Sequence, residues 1–412
     1  MKVISSSALN SLLRSRRTVF SWLGGLLAAV SLSPALAGNS VCKNESWPLW
    51  QAYAARYVQD DGRMLESSVE PNHSTSEGQS YGMLFALVAN DPQRFESLWK
   101  WTTANLAGAD INIRLPGWLW GRGKDEQWQL QDANSASDAD LWMAYSLLEA
   151  ARVWQRPDYH DDALRLLKTI ESKLVMSLPG LGKMVIPGPE GFVQPDHLWR
   201  LNASYLPIPL LRRLAKEAPN GPWKEVAENT VKMVKASSPE GYVADWVGYR
   251  ATGPKEGLFV VDPVKGDIGS YDAIRVYLWA GMTPKSDPLA GPLLSSLNGM
   301  SLGTGSTGFP PENVQTQSGA LKGQGPFGFS AALIPYFEAK GQPWLADIQR
   351  RRVEESLNAA LLNGGNSGSE PLYYNTMLSL FALGWAEKRY QFRDDGTLKM
   401  SWETPCVRAE TR

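Results

Sequence analysis

The chain has 412 residues with 41 basic and 42 acidic side chains, a formal net charge of −1 and no clustered Lys/Arg run, which argues against nucleic acid as a partner. That length suffices for one large domain or two ordinary ones. Its 17 Trp, 14 Tyr and 11 Phe exceed what a core requires, and a sugar ligand stacking on such rings competes as an explanation with a large aromatic helical core.

Residues 1–37 read as a signal peptide. Lys2, Arg14, Arg16 and Arg17 precede an apolar stretch, WLGGLLAAVSL, and then Pro34 and the small-residue pattern Ala35-Leu36-Ala37. SRRTVF at 15–20 is a partial twin-arginine match, so export by either the general or the twin-arginine route is open. Removing the leader takes four basic residues and no acids, leaving a net charge of −5 on residues 38–412, expected to form a single domain outside the cytoplasm, periplasmic or secreted. No later segment reaches the roughly 18 uncharged apolar residues needed to span a membrane. Cys42 and Cys406 lie near the two ends of the mature chain; an even pair in an oxidising compartment is expected to form a disulfide.

Helical periodicity dominates the remainder and strand-like alternation is scarce. Twelve helices are expected, at about 47–57, 76–90, 92–106, 137–153, 158–173, 204–217, 221–235, 270–281, 287–297, 327–338, 342–358 and 372–386. Asp91-Pro92, Pro157-Asp158 and Asp287-Pro288 each fit a cap with Pro in the first turn. The long loops 107–136, 174–203, 236–269 and 298–326 are rich in Gly, Pro and Trp. Even-numbered segments such as GQSYGMLFALVAN and YYNTMLSLFALGWA are apolar all round, whereas odd-numbered ones carry a charged face. Buried and exposed helices alternating six times predict an all-α fold, an (α/α)6 barrel whose inner helices start at one end.

That arrangement delivers Glu77, Asp138, Asp140, Tyr205 and Asp272, each near the start of an even-numbered helix, to one rim. Each acid also has a purely structural explanation, since carboxylates suit the positive end of a helix dipole. Ser76 with Gln79 fits a capping box, and Ser137 fits an N-cap. Three such acids at one end beside aromatic loops are harder to explain that way.

The stretch ASDADLWMAYSLLEAARVW (136–154) resembles the signature of glycoside hydrolase family 8. TSEGQSYGM (75–83), LPGWLWG (115–121), NASY (202–205), YDAIRVYLW (271–279) and GFSAALIPY (328–336) match the family in order along essentially the whole mature chain. Within the family the likeness is greatest to members that accompany bacterial cellulose synthase. The resemblance implies an inverting endo-β-1,4-glucanase acting on cellulose chains, with Glu77 as general acid, Asp272 as general base, and Asp138 gripping the sugar at the cleavage point or sharing in catalysis. It implies that Arg275 orients Asp272 or the sugar and that Tyr205 helps hold the attacking water. NASY stands where close relatives often have NPSY. Trp118, Trp120 and Trp199 are candidate stacking platforms, while Trp142 and Trp279 read as core. Same-family action on xylan, chitosan or mixed-linkage glucan is one alternative, and a non-catalytic glucan-binding export component another; a cellulose synthase or export complex is the expected protein partner. No cofactor is called for: His73, His160 and His197 form no close-spaced metal pair.

Overall fold

The computed structural model describes residues 46–66, 72–362 and 372–403. The expected leader and the Cys42–Cys406 bridge lie outside the described residues. Helices α1 (Pro48–Tyr57), α2 (Ser76–Val88), α3 (Pro92–Asn105), α4 (Ser137–Trp154), α5 (Pro157–Leu174), α6 (Ile208–Glu217) and α7 (Trp223–Ala236) come first. They are followed by α8 (Ala273–Met282), α9 (Ala290–Ser295), α10 (Asn298–Thr307), α11 (Phe327–Ala339), α12 (Pro343–Leu362) and α13 (Leu372–Ala386).

The apolar helices form the inner ring. All of α8 is buried, and α2 leaves only Glu77 outside the core. Neighbours around the ring are α2–α4, α4–α6, α6–α8, α8–α11 and α11–α13, with α3, α5, α7, α9 and α12 packed outside α2, α4, α6, α8 and α11. This is the (α/α)6 barrel. Its centre is aromatic: Trp142 of α4 lies 5.4 Å from both Trp279 of α8 and Phe381 of α13, and Phe381 lies 4.7 Å from Phe85 of α2. Such pairs contribute about 0.5–1.5 kcal/mol each beyond their buried area. Trp142 and Trp279 are core residues, as the sequence predicts.

Where α8 meets α11 there is no room for a side chain. A Cβ on Gly281 would fall 2.3 Å from the Pro335 carbonyl carbon and the Tyr336 nitrogen, both backbone. Gly281→Ala is therefore expected to destabilise the protein by about 1–3 kcal/mol, read as a lower urea midpoint at unchanged slope. At the C-terminal ends of the inner helices a buried ion network takes over. Glu149 accepts from Arg213 Nε (2.7 Å), from Arg152 Nε (2.9 Å) and Nη2 (2.8 Å), and from the Leu398 backbone (2.9 Å), tying α4, α6 and the residues after α13 together.

Three expectations are corrected. The predicted 204–217 helix is broken: Ala203–Tyr205 is one 3-10 turn and α6 begins only at Ile208. Pro207 has no N–H to give and pushes Leu206 out of the helical region. The predicted 287–297 helix shortens to α9, because Asp287 caps a turn there instead, accepting from Leu289 N (2.8 Å), and the glycine-rich α10 follows inside an expected loop. The loops also hold antiparallel strands. β1 (Ser74–Thr75), β2 (Gly117–Arg122) and β3 (Trp128–Ser135) form one sheet, β4 (Val175–Leu178) and β5 (Gly182–Val185) a hairpin. β6 (Val193–Gln194), β7 (Leu198–Leu201), β8 (Val247–Gly253) and β9 (Glu256–Val261) form a second sheet, and β10 (Ile268–Gly269), β11 (Asn313–Gln315) and β12 (Ala320–Lys322) a third. β13 (Tyr390–Phe392) and β14 (Leu398–Met400) pair after α13. Most of these strands are two to four residues long or exposed on both faces, so alternation has little to act on.

Candidate active site

Thr75, not Ser76, caps α2: its hydroxyl accepts the Gly78 N–H at 3.0 Å, which places Glu77 second in the helix. Gln79 forms no capping box. Its buried amide instead spans the Met64 N–H and the Gly62 and Leu98 carbonyls, so it anchors the chain between α1 and α2. Ala136 occupies the N-cap of α4 without a side-chain bond, and Ser137 is the first helical residue, its N–H bonded to the Pro187 carbonyl at 2.8 Å. The Asp138 carboxylate thus enters the barrel mouth from the first turn of α4.

Arg275, buried in the first turn of α8, brings the predicted residues together. Its Nη1 donates to Glu77 Oε2, and its Nη2 to Asp272 Oδ1 at 2.7 Å and to Ser204 Oγ at 3.2 Å. Asp138 Oδ2 lies 3.9 Å from the same Nη2. Two hydrogen bonds and the width of a guanidinium place the bonded oxygens, Glu77 Oε2 and Asp272 Oδ1, at most about 8 Å apart. The Tyr205 ring lies 5.8 Å from the guanidinium carbon. Asn202 holds Ser204 through its backbone N–H (3.0 Å) and hydroxyl (2.7 Å), which fixes the turn that carries Tyr205.

Burial separates the acids. The side chains of Glu77 and Asp272 are 26% and 29% exposed, that of Asp138 only 3%. Asp138 Oδ1 accepts the Ala139 N–H at 2.8 Å, while Oδ2 has no hydrogen-bond donor among the described residues. Burial, then the charge of Glu77, pushes the Asp138 carboxyl up to about 7 against the pull of Arg275. Asp140, fully buried two positions further along α4, is raised well above the usual carboxylate range by burial. Of the three acids gathered around Arg275, the deepest position belongs to Asp138.

The tryptophans divide. Trp118 is exposed on β2, and Trp120, two positions on, packs edge-to-face on Trp101 of α3 at 5.7 Å. β1 and β2 pair as Ser74↔Trp120 and Thr75↔Leu119, so Trp120 lies opposite the strand that leads into Glu77, with Trp118 further along β2. Trp199 is corrected as an exposed platform: it is 8% exposed and its ring packs on Tyr249, its partner across β7–β8. Sequence reasoning missed Asp245 and Trp246. Trp246 Nε1 donates to Asp272 Oδ2 at 3.0 Å, and Asp245 accepts backbone N–H groups around Asp272. A polar pair in a loop without periodicity gives no sequence signal. Among the described residues no group of His, Cys, Asp and Glu is arranged to hold a metal ion.

Residues 23–388 match the family described as glycosyl hydrolases family 8. The chain is 53% identical over 377 residues to an endoglucanase of Pseudomonas fluorescens (strain SBW25), covering 90% of this chain and 95% of that one. It is 39% identical to an endoglucanase of Escherichia coli (strain K12), covering 90% and 96%. The solved endo-1,4-D-glucanase from Vibrio fischeri ES114 superposes with a TM-score of 0.80 at 36% identity, covering 87% of this chain and all of the other. With the barrel and the carboxylates gathered at its mouth, these matches establish that the chain belongs to glycosyl hydrolases family 8.

Proposed function

We propose that the protein is an endo-β-1,4-glucanase that cleaves internal bonds of cellulose-like chains with inversion at the anomeric carbon. One observation carries the reading: Glu77 and Asp272 sit on the two terminal nitrogens of one buried guanidinium, with Asp138 beside them. The endoglucanase names of the relatives support the same substrate class.

Hydrolysis needs one carboxyl to protonate the leaving oxygen and another to activate water. Glu77 gives its proton to the glycosidic oxygen as the C1–O bond breaks. Asp272 takes a proton from water as its oxygen bonds to C1 from the opposite face, with Tyr205 beside it holding that water. Bound glucan covers the exposed part of Glu77 and excludes water from the bond being cleaved. Asp138 meets a sugar hydroxyl with its unpartnered Oδ2, and Trp118 and Trp120 offer apolar faces to neighbouring sugars. Inversion requires the two carboxyls roughly 6.5–9.5 Å apart, against about 5–5.5 Å for retention.

The basic, apolar and small-residue pattern of residues 1–37 supports export, with residues 38–412 as the working enzyme in the periplasm or outside the cell. There it trims glucan chains during cellulose biosynthesis, beside the synthase or its export apparatus. Reducing-end release from carboxymethylcellulose, xylan and chitosan, assayed side by side, tests the substrate; a preference for either of the last two sinks the cellulose assignment. Proton NMR of the newborn end tests the stereochemistry: the α-anomer is expected first, and a β-anomer requires a covalent nucleophile.

A further inference from the structure

Asp272 occupies the N-cap of α8, where an aspartate ordinarily turns its carboxylate back onto the first N–H groups of the helix. Here it does not. The N–H groups of Ile274 and Arg275 go to the backbone carbonyls of Ser270 (3.0 Å) and Asp272 (3.1 Å), and another carboxylate, 27 positions earlier, holds the entry to the helix: Asp245 Oδ1 accepts the N–H of Ser270 (2.7 Å), Asp272 (3.1 Å) and Ala273 (2.7 Å). The next residue, Trp246, reaches the Asp272 side chain itself, through Nε1 to Oδ2 at 3.0 Å. With Arg275 on Oδ1, each carboxylate oxygen has one donor and keeps one lone pair for water.

The indole is itself held. It stacks on Phe192 at 5.6 Å with an interplanar angle of 2°, meets Tyr205 edge-on at 6.0 Å, and carries Arg200 at 4.9 Å from its ring. Arg200 is fixed by two bonds to Asp262, at 2.7 and 3.1 Å.

We propose that Asp245 and Trp246 are positioning residues for Asp272: Asp245 fixes the backbone on both sides of it, so that its side chain is left to the cleft, and Trp246 sets the rotation of that side chain. The inference rests on the reading of Asp272 as the base. Burial, then the charge of Asp272, pushes the Asp245 carboxyl up to about 6 while the backbone N–H groups pull it down. Two carboxylates this close repel, so fixed donors between them are what keep the arrangement unique.

The test measures kcat and KM on a soluble cello-oligosaccharide for Trp246→Phe, Asp245→Ala, Asp245→Asn and Asp272→Asn, with thermal midpoints recorded. Trp246→Phe keeps an aromatic ring and loses only the donor; it and Asp245→Ala are expected to lower kcat about tenfold or more, with KM within about twofold. Asp245→Asn keeps an acceptor oxygen and is expected to restore most of that loss. In the Asp272→Asn background, Trp246→Phe should lower the residual rate no further. A raised KM at unchanged kcat in Trp246→Phe would make the indole a sugar platform and overturn the proposal. Equal losses in Asp245→Asn and Asp245→Ala, or additive losses with Asp272→Asn, overturn it too. If Asp272→Asn alone retains the wild-type rate, the base assignment fails and the positioning falls with it. Should Asp245→Ala not fold, Trp246→Phe and Asp245→Asn still decide.

Discussion

Glu77→Gln is expected to lower kcat on unactivated β-glucan by about 10³-fold while leaving oligosaccharide binding within a small factor of wild type. Gln keeps the shape and one acceptor for Arg275 Nη1, so the site stays assembled. What it lacks is a proton to give. An aryl glycoside whose leaving group departs without protonation should lose far less, and the ratio of the two losses isolates the acid step. Asp272→Asn is expected to impair both substrates alike, because water must be activated in either case. Steady-state kinetics on the two substrates, with binding followed by calorimetry, checks the division of roles. Equal losses on both substrates in Glu77→Gln would remove it from the acid role.

Asp138→Asn should separate activity from stability. The Asp138 carboxyl is raised from 3.8 to about 7 in the folded protein, so folding binds its proton more tightly. The associated stability is fully present below about pH 4 and is lost as the pH rises through about 7. Above that, the fold carries a buried, half-partnered carboxylate at a penalty on the order of a few kcal/mol. Asn is neutral at every pH and retains an oxygen for the Ala139 N–H. The variant is therefore expected to be more stable than wild type at pH 8 and nearly equal to it at pH 4, while kcat falls about 10²-fold or more through loss of sugar positioning. Denaturant unfolding at the two pH values checks the sign; a variant less stable at pH 8 would show that Asp138 is held ionised at no penalty.

The sequence reveals most about elements that are buried all round. Helices α2, α4, α8, α11 and α13 announce themselves because no face of them meets water, and their alternation with charged helices yields the two rings. The carboxylates are legible for a related reason: one acid opening an apolar helix suits the dipole, but three gathered at a shared end ask for more. The finer wiring is not legible. Gln79 reads as half of a capping box, yet its amide is drawn into the gap below α1, a tertiary contact that outweighs the local one. Trp199 reads as a platform, but strand pairing puts it beside Tyr249 in the core. Asp245 and Trp246 matter through partners about 25 positions away, a relation only the folded loop creates.

The inner ring is sealed where Phe381 meets Tyr81 at 5.0 Å and Phe85 at 4.7 Å, so α2 and α13 are neighbours although some 300 residues separate them. On the ribosome the two arrive far apart in time. At roughly 5–20 residues per second, α2 waits roughly 15–60 s for the helix that covers it. Until then Tyr81 and Phe85 lack their partner, and the nascent chain carries an open apolar seam along its first inner helix. That interval is when a holding chaperone has a surface to bind, and when aggregation competes with closure.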